Sequence, residues 1–93
     1  MNYEKAGDFE INSAVKDILF GEHWITESVL CKWDFNNPAD AWPIIVENKI
    51  NIDFQYGSWP TAEYSEYIYT DENPLRAAMI VFLMMQDHKE MDK

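Results

Sequence analysis

The apolar positions of this chain recur with several different spacings, and each spacing predicts an element. The densest run is Ala77–Met85, nine apolar residues inside the stretch NPLRAAMIVFLMMQ from Asn73 to Gln86. Asp71, Glu72 and Asn73 put polar caps and negative charge where a helix N-terminus needs them. Pro74 suits a first helical turn, where its missing N–H is not required. Ala, Met and Leu are strong helix formers. Leu75, Met79 and Phe82 fall at i, i+4 and i+7, and Ile80, Val81 and Met84 cover the opposite side. The expected element is a central helix over 74–88, buried on most sides or meeting a partner. A membrane span needs about 18 apolar residues, so this run is too short.

Ile11, Ala14, Val15, Ile18 and Leu19 form a complete helical stripe. They predict a helix over 9–20, with Asp8 as N-cap and Gly21 as stop. Trp24–Trp33 reads as a strand, with Ile25, Val29, Cys31 and Trp33 on one face, and Asn36, Asn37 and Pro38 break it. Residues 39–48 admit two readings. One is a short helix with Trp42, Ile45 and Val46 facing inward, which Pro38 and Asp40 favour; the other is a buried strand at 44–47. Ile50, Ile52, Phe54 and Tyr56 alternate with polar residues and predict a strand. Gly57–Pro60 reads as a loop, and Tyr-rich Glu63–Thr70 as the second strand of a hairpin. The expected fold is α+β: a small three-stranded, mostly antiparallel sheet with an N-terminal helix and a long apolar C-terminal helix packed on it. Its expected core includes Ile11, Val15, Ile18, Ile52, Phe54, Leu75, Met79 and Phe82.

Composition narrows the class. Ninety-three residues make a single domain, and a 47% hydrophobic content with four Trp, five Tyr and five Phe argues against disorder. The formal charge is −10, from 17 acidic and 7 basic residues. That field repels nucleic acid and anionic lipid, so neither direct nucleic-acid binding nor a membrane surface is expected. It suits solubility or a basic partner. The one cysteine, Cys31, excludes an internal disulfide and fits a reducing compartment. The segment MNYEKAGDFE lacks the apolar core of a signal peptide.

Chemistry-bearing motifs are missing. Gly7, Gly21 and Gly57 are too scattered for a phosphate-cradling loop, and no G-x-S-x-G occurs. His23 and His88 are the only histidines, with no H-x-x-x-H, C-x-x-C or D-x-D-x-D-G spacing. No catalytic residue, cofactor or metal is therefore expected, nor an enzyme. In an extended segment His23 and Cys31 stand about 26 Å apart; His88 reaches Cys31 only through the fold, and Cys31 reads as a small buried core residue. The aromatics exceed what so small a core must hide. Most suit ordinary packing, and the surplus suits a protein interface. A homodimer through the apolar helix, or through Trp42 and Trp59, would also bury it.

Three stretches, taken in order, carry a family resemblance. They are Asp8-Phe9-Glu10-Ile11-Asn12, Asn37-Pro38-Ala39-Asp40-Ala41-Trp42-Pro43-Ile44-Ile45, and Asn73-Pro74-Leu75-Arg76-Ala77-Ala78-Met79-Ile80-Val81-Phe82-Leu83. Together they resemble the NinX-like family of small proteins from tailed phages and prophages of enteric bacteria. The resemblance spans nearly the whole chain. It implies an accessory phage gene product acting in the host bacterial cytoplasm, and it transfers no catalytic residues. Joined to the charge and the aromatics, it leads to an expected protein-binding inhibitor. The expected partner is a host or defence protein with a basic, nucleic-acid-handling surface, such as a CRISPR effector or nuclease. The expected binding face is Glu63, Tyr64, Glu66, Tyr67, Asp71 and Glu72. The alternatives are a small phage hydrolase or nucleotide-modifying enzyme with an acidic site, and an acidic accessory protein with no inhibitory role.

Overall fold

A computed structural model describes Tyr3 and residues 5–21, 23–54 and 58–91, the side chains of 88–91 excepted. Five helices and three strands follow one another: α1 (Asp8–Phe20), α2 (His23–Thr26), α3 (Ser28–Cys31), α4 (Pro38–Glu47), β1 (Asn51–Asp53), β2 (Thr61–Tyr64), β3 (Tyr67–Thr70) and α5 (Pro74–Met91). The strands form one antiparallel sheet in the order β1-β2-β3. Helix α5 packs against all three strands and also against α1 and α4. The α+β fold with a small antiparallel sheet and two flanking terminal helices is as the sequence predicts.

The central helix explains its own composition. Ala77–Val81 are fully buried, and Phe82 and Leu83 nearly so, because protein surrounds this part of α5 on every side. Its first turn is capped as expected. The Asn73 side-chain oxygen accepts from the Leu75 and Arg76 N–H groups at 2.9 and 3.4 Å, and Asp71 accepts from the Asn73 N–H at 2.9 Å. The covering of α5 by its own chain removes the apolar surplus on which dimerisation through this helix was based.

Helix α1 starts one residue earlier than expected. Gly7 is the N-cap and its carbonyl accepts from the Ile11 N–H at 3.1 Å. Asp8 sits inside the first turn, and its carboxylate turns away to other partners. Ile11 and Val15 are buried, but Ile18 and Leu19 are exposed. The core side of α1 instead ends at Lys16, whose stem is buried while its ammonium donates to the Cys31 carbonyl at 2.8 Å and lies 4.9 Å from the Trp24 ring centre.

That contact accounts for the main error in the sequence reading. Residues 24–33 are not a strand but two single-turn helices, α2 and α3, closed by bonds such as Glu27 N–H to His23 carbonyl at 3.0 Å. An apolar pattern makes a strand only if another strand lies alongside, and here α1 lies there instead. The fold-back brings the Cys31 thiol to the Trp24 carbonyl at 2.9 Å, and Cys31 is exposed rather than buried.

The third strand comes from splitting the expected Glu63–Thr70 strand. Residues 61–70 form a tight hairpin with Tyr64 opposite Tyr67 and Ser65-Glu66 as the turn. Ser65 adopts φ 55°, a conformation hairpin turns usually give to glycine. Without Gly or Asn there, the turn leaves little trace in the sequence. The other predicted strand shortens to Asn51–Asp53, and Tyr56 lies outside the described residues.

The mid-chain helix reading holds, with Asn37 as N-cap accepting from Ala39 N–H at 3.1 Å and Pro38 at the first position. Its inward face differs: Ala41, Ile44 and Ile45 are buried, while Trp42 and Val46 are exposed. The helix ends in a Schellman motif, with Ile50 N–H bonded to the Ile45 carbonyl at 3.0 Å and Lys49 N–H to the Val46 carbonyl at 3.2 Å. Lys49 takes the left-handed position at φ 57°. Phe54, expected in the core, is 71% exposed, and Phe35, in the loop before α4, is fully buried.

Candidate functional site

The expected binding face is divided by the sheet. Directly opposed residues share a face, so Ala62, Tyr64, Tyr67 and Tyr69 lie on the side of buried Ala62, while Glu63 and Ile68 lie on the other. Tyr67 and Tyr69 are half-buried against the core. Tyr64 is at the margin, 39% exposed. Glu66 is at the exposed hairpin tip, and Glu72 is exposed just before α5. Asp71 is engaged internally, 3.5 Å from the Arg76 guanidinium. Tyr64, Glu66 and Glu72 are therefore exposed and Glu63 half-buried, whereas Tyr67 packs on the core and Asp71 pairs with Arg76.

Arg76 is the centre of a polar clasp. Its guanidinium donates to the Asp8 carboxylate at 2.8 Å, to the Tyr3 carbonyl at 3.3 Å and to the Ala6 carbonyl. Asp8 also accepts from the Asn36 amide at 3.3 Å, and the Asn36 oxygen accepts from the Asn73 amide at 2.7 Å. The Asn12 side chain accepts from Phe35 N–H at 3.0 Å and donates to the Trp33 carbonyl at 3.1 Å. Tyr3 adds a second N-terminal tie by donating to Asp87. Burial, and then that bond, push the Tyr3 hydroxyl above the usual tyrosine range. The guanidinium side chain is only 13% exposed, and its donors are directed at protein acceptors. This is a structural use of charge: the clasp ties the N-terminus, α1 and the loop before α4 to the start of α5.

On another side of the same helix start lies an apolar cleft of about 330 Å³. Helix α4 contributes Trp42 and Ile45, β1 and its flanks contribute Ile50, Asn51, Ile52 and Phe54, and α5 contributes Pro74 and Leu75. The Schellman turn positions two of these, Ile45 and Ile50, against each other. Trp42 at 59% and Phe54 at 71% exposed stand at its mouth. A shallower depression of about 250 Å³ is lined by Val29, Leu30, Lys32, Trp33 and Asp40. Neither cavity holds a pair of carboxylates, so neither presents an acid–base arrangement. Among the described residues no group of three or more His, Cys, Asp or Glu is placed to hold a metal ion, and no helix is long and apolar enough to cross a membrane. The His88 side chain, and with it any pairing with Cys31, lies outside the described residues.

The cleft was missed in the sequence because Trp42, Ile52, Phe54 and Leu75 carry the same apolar signal as core positions. The excess of aromatics was the only trace of it.

Comparison with known families gives the clearest result. The family model described as Bacteriophage P22, NinX matches residues 5–86. The chain belongs to this NinX family. No curated protein and no solved structure matches it. The NinX match runs from just before α1 into α5 and so includes the cleft and the clasp apart from Tyr3 and Asp87. The three stretches that carry the resemblance also meet in space. Asp8 of the first joins Arg76 and, through Asn36, Asn73 of the third, while Asp40 of the second accepts from the Asp34 N–H at 3.0 Å in the loop between. The most recognisable residues of this NinX chain are thus, in large part, those that hold its helices together.

Proposed function

We propose that this NinX-family protein is a phage accessory protein that acts in the host cytoplasm by binding a basic, nucleic-acid-handling host or defence protein and inhibiting it. The observation that carries this reading is a charge of −10 on 93 residues, with Glu63, Glu66 and Glu72 left at the surface near the hairpin and the start of α5. Carboxylates there would occupy positions where the target's Lys and Arg take phosphates. Such complementarity speeds encounter and competes with nucleic acid. Charge alone gives little desolvated contact, and exposed Tyr64, Trp59 and Ile68 supply apolar surface on or near the sheet. No catalysis is assigned to the protein in this reading.

The test is a pull-down from infected-cell lysate at low and high salt, with the parent chain and a variant carrying Glu63→Lys, Glu66→Lys and Glu72→Lys. Asp71 is spared because its reversal would break the contact with Arg76. Capture of a basic nucleic-acid-handling protein at low salt, lost at high salt and lost in the variant, is the expected result. Capture indifferent to both salt and charge reversal refutes the electrostatic mechanism.

A further inference from the structure

We propose that the apolar cleft beside β1 is a docking site for an extended segment of the partner, one that inserts a large aliphatic side chain flanked by Lys or Arg. The proposal deepens the protein-binding reading above and rests on it.

Three observations converge on the cleft. First, its lining is apolar and comes from three elements, and its 330 Å³ suits one large side chain or two small ones. Second, β1 is an edge strand: among the described residues β2 is its only neighbour in the sheet. Alternate residues of an edge strand direct N–H and C=O groups outward, where an added strand is able to pair with them. Ile52 lies on the core side of that strand, in register with buried Ala62, so a strand added at this edge runs beside the cleft. Third, the charge available to meet an occupant is negative. Exposed Glu72 lies two residues before cleft-lining Pro74, and the chain as a whole carries −10.

The charge selects the occupant. A second copy would bring another −10 to the same rim, and like charges brought together disfavour association. A segment with cationic flanks meets the rim with opposite charge while its apolar side chain covers Trp42 and Phe54. The expected occupant is thus a basic protein's strand or extended tail, not another copy of this chain.

The experiment follows backbone amides and tryptophan indoles of the isotope-labelled full chain during titration with three synthetic peptides. One carries a central Leu with Lys on both sides, one the same Leu with Glu flanks, and one a central Ser with Lys flanks. The Lys-flanked Leu peptide should shift Ile50, Ile52 and the Trp42 indole, and the other two should bind at least about tenfold more weakly. Phe54→Ala and Trp42→Ala, both at exposed positions, should each weaken the Leu peptide by about tenfold while the thermal melt stays in place. The proposal is overturned by equal binding of the Glu-flanked or Ser-centred peptide, by shifts confined to the hairpin tip, or by no shift. It is also overturned by a peptide-independent, concentration-dependent dimer that shifts the same residues, since the second copy is then the occupant. The two readings fail separately. If the pull-down partner is held by charge while the peptides leave the cleft untouched, the cleft proposal falls and the electrostatic inhibitor stands. If the Leu peptide seats as expected but capture ignores salt and charge reversal, the opposite holds.

Discussion

Leu75 and Arg76 are neighbours in the first turn of α5, and they serve two regions built on opposite principles. Arg76 enters the clasp, where Asp8, Asp71 and the carbonyls of Tyr3 and Ala6 surround its guanidinium. Leu75 lines the cleft, where Trp42 and Phe54 stand exposed. The guanidinium is largely withdrawn from water while the apolar cleft is open, the reverse of the ordinary distribution of polar and apolar groups. Polar groups taken out of water need every partner supplied from within, and the clasp supplies them. Apolar side chains in contact with water gain by being covered, and within the described residues nothing covers the mouth of the cleft. Burial and hydrogen bonding thus explain the clasp without a ligand, whereas the proposal above gives the cleft one.

Substitutions sharpen that contrast. The largest effect is expected at Phe35, which is fully buried behind the clasp and held by the Asn12 side chain. Phe35→Ala should cost about 3–5 kcal/mol in chemical denaturation, because the loop fixed at both sides cannot collapse into the void. A loss below about 1 kcal/mol would show that this side is not rigid.

Arg76→Ala should cost about 2–4 kcal/mol, since it strips the donor from two carbonyls and leaves Asp71 without its cation. The Asp8 contact contributes little of this, because that carboxylate is 57% exposed and screened by water. Denaturation measured with and without added salt separates the two shares. A salt-insensitive loss is the expected result; a loss that salt abolishes would make the clasp a surface ion pair and erase its contrast with the cleft.

The smallest effect is expected across the cleft. Phe54→Ala should change stability by no more than about 0.5 kcal/mol, because the ring is mostly in water already. The same denaturation measurement checks it. A loss comparable to that at Phe35 would mean that Phe54 belongs to the core after all.

The sequence by itself determined the elements whose signals are local. Asn73, Pro74 and the run after them define α5 through capping, propensity and composition, and Asn37-Pro38 define the start of α4 in the same way. Gly21 ends α1 at φ 63°, a backbone conformation glycine adopts freely. The family was legible for the same reason, since contiguous stretches carry it. Tertiary structure decided what depends on a neighbour. Whether 24–33 pairs as a strand or coils into two turns depended on α1 lying beside it. Whether Trp42, Ile18 and Phe54 face inward depended on how each element is rotated when α5 takes the centre. The hairpin turn at Ser65 and the helix end at Lys49 use positive φ without glycine, a cost that surrounding contacts hold in place and no local pattern announces. The candidate site lies wholly in this second group. An apolar residue carries the same signal whether a protein core or a partner covers it, and only the packed chain shows which of them it leaves uncovered.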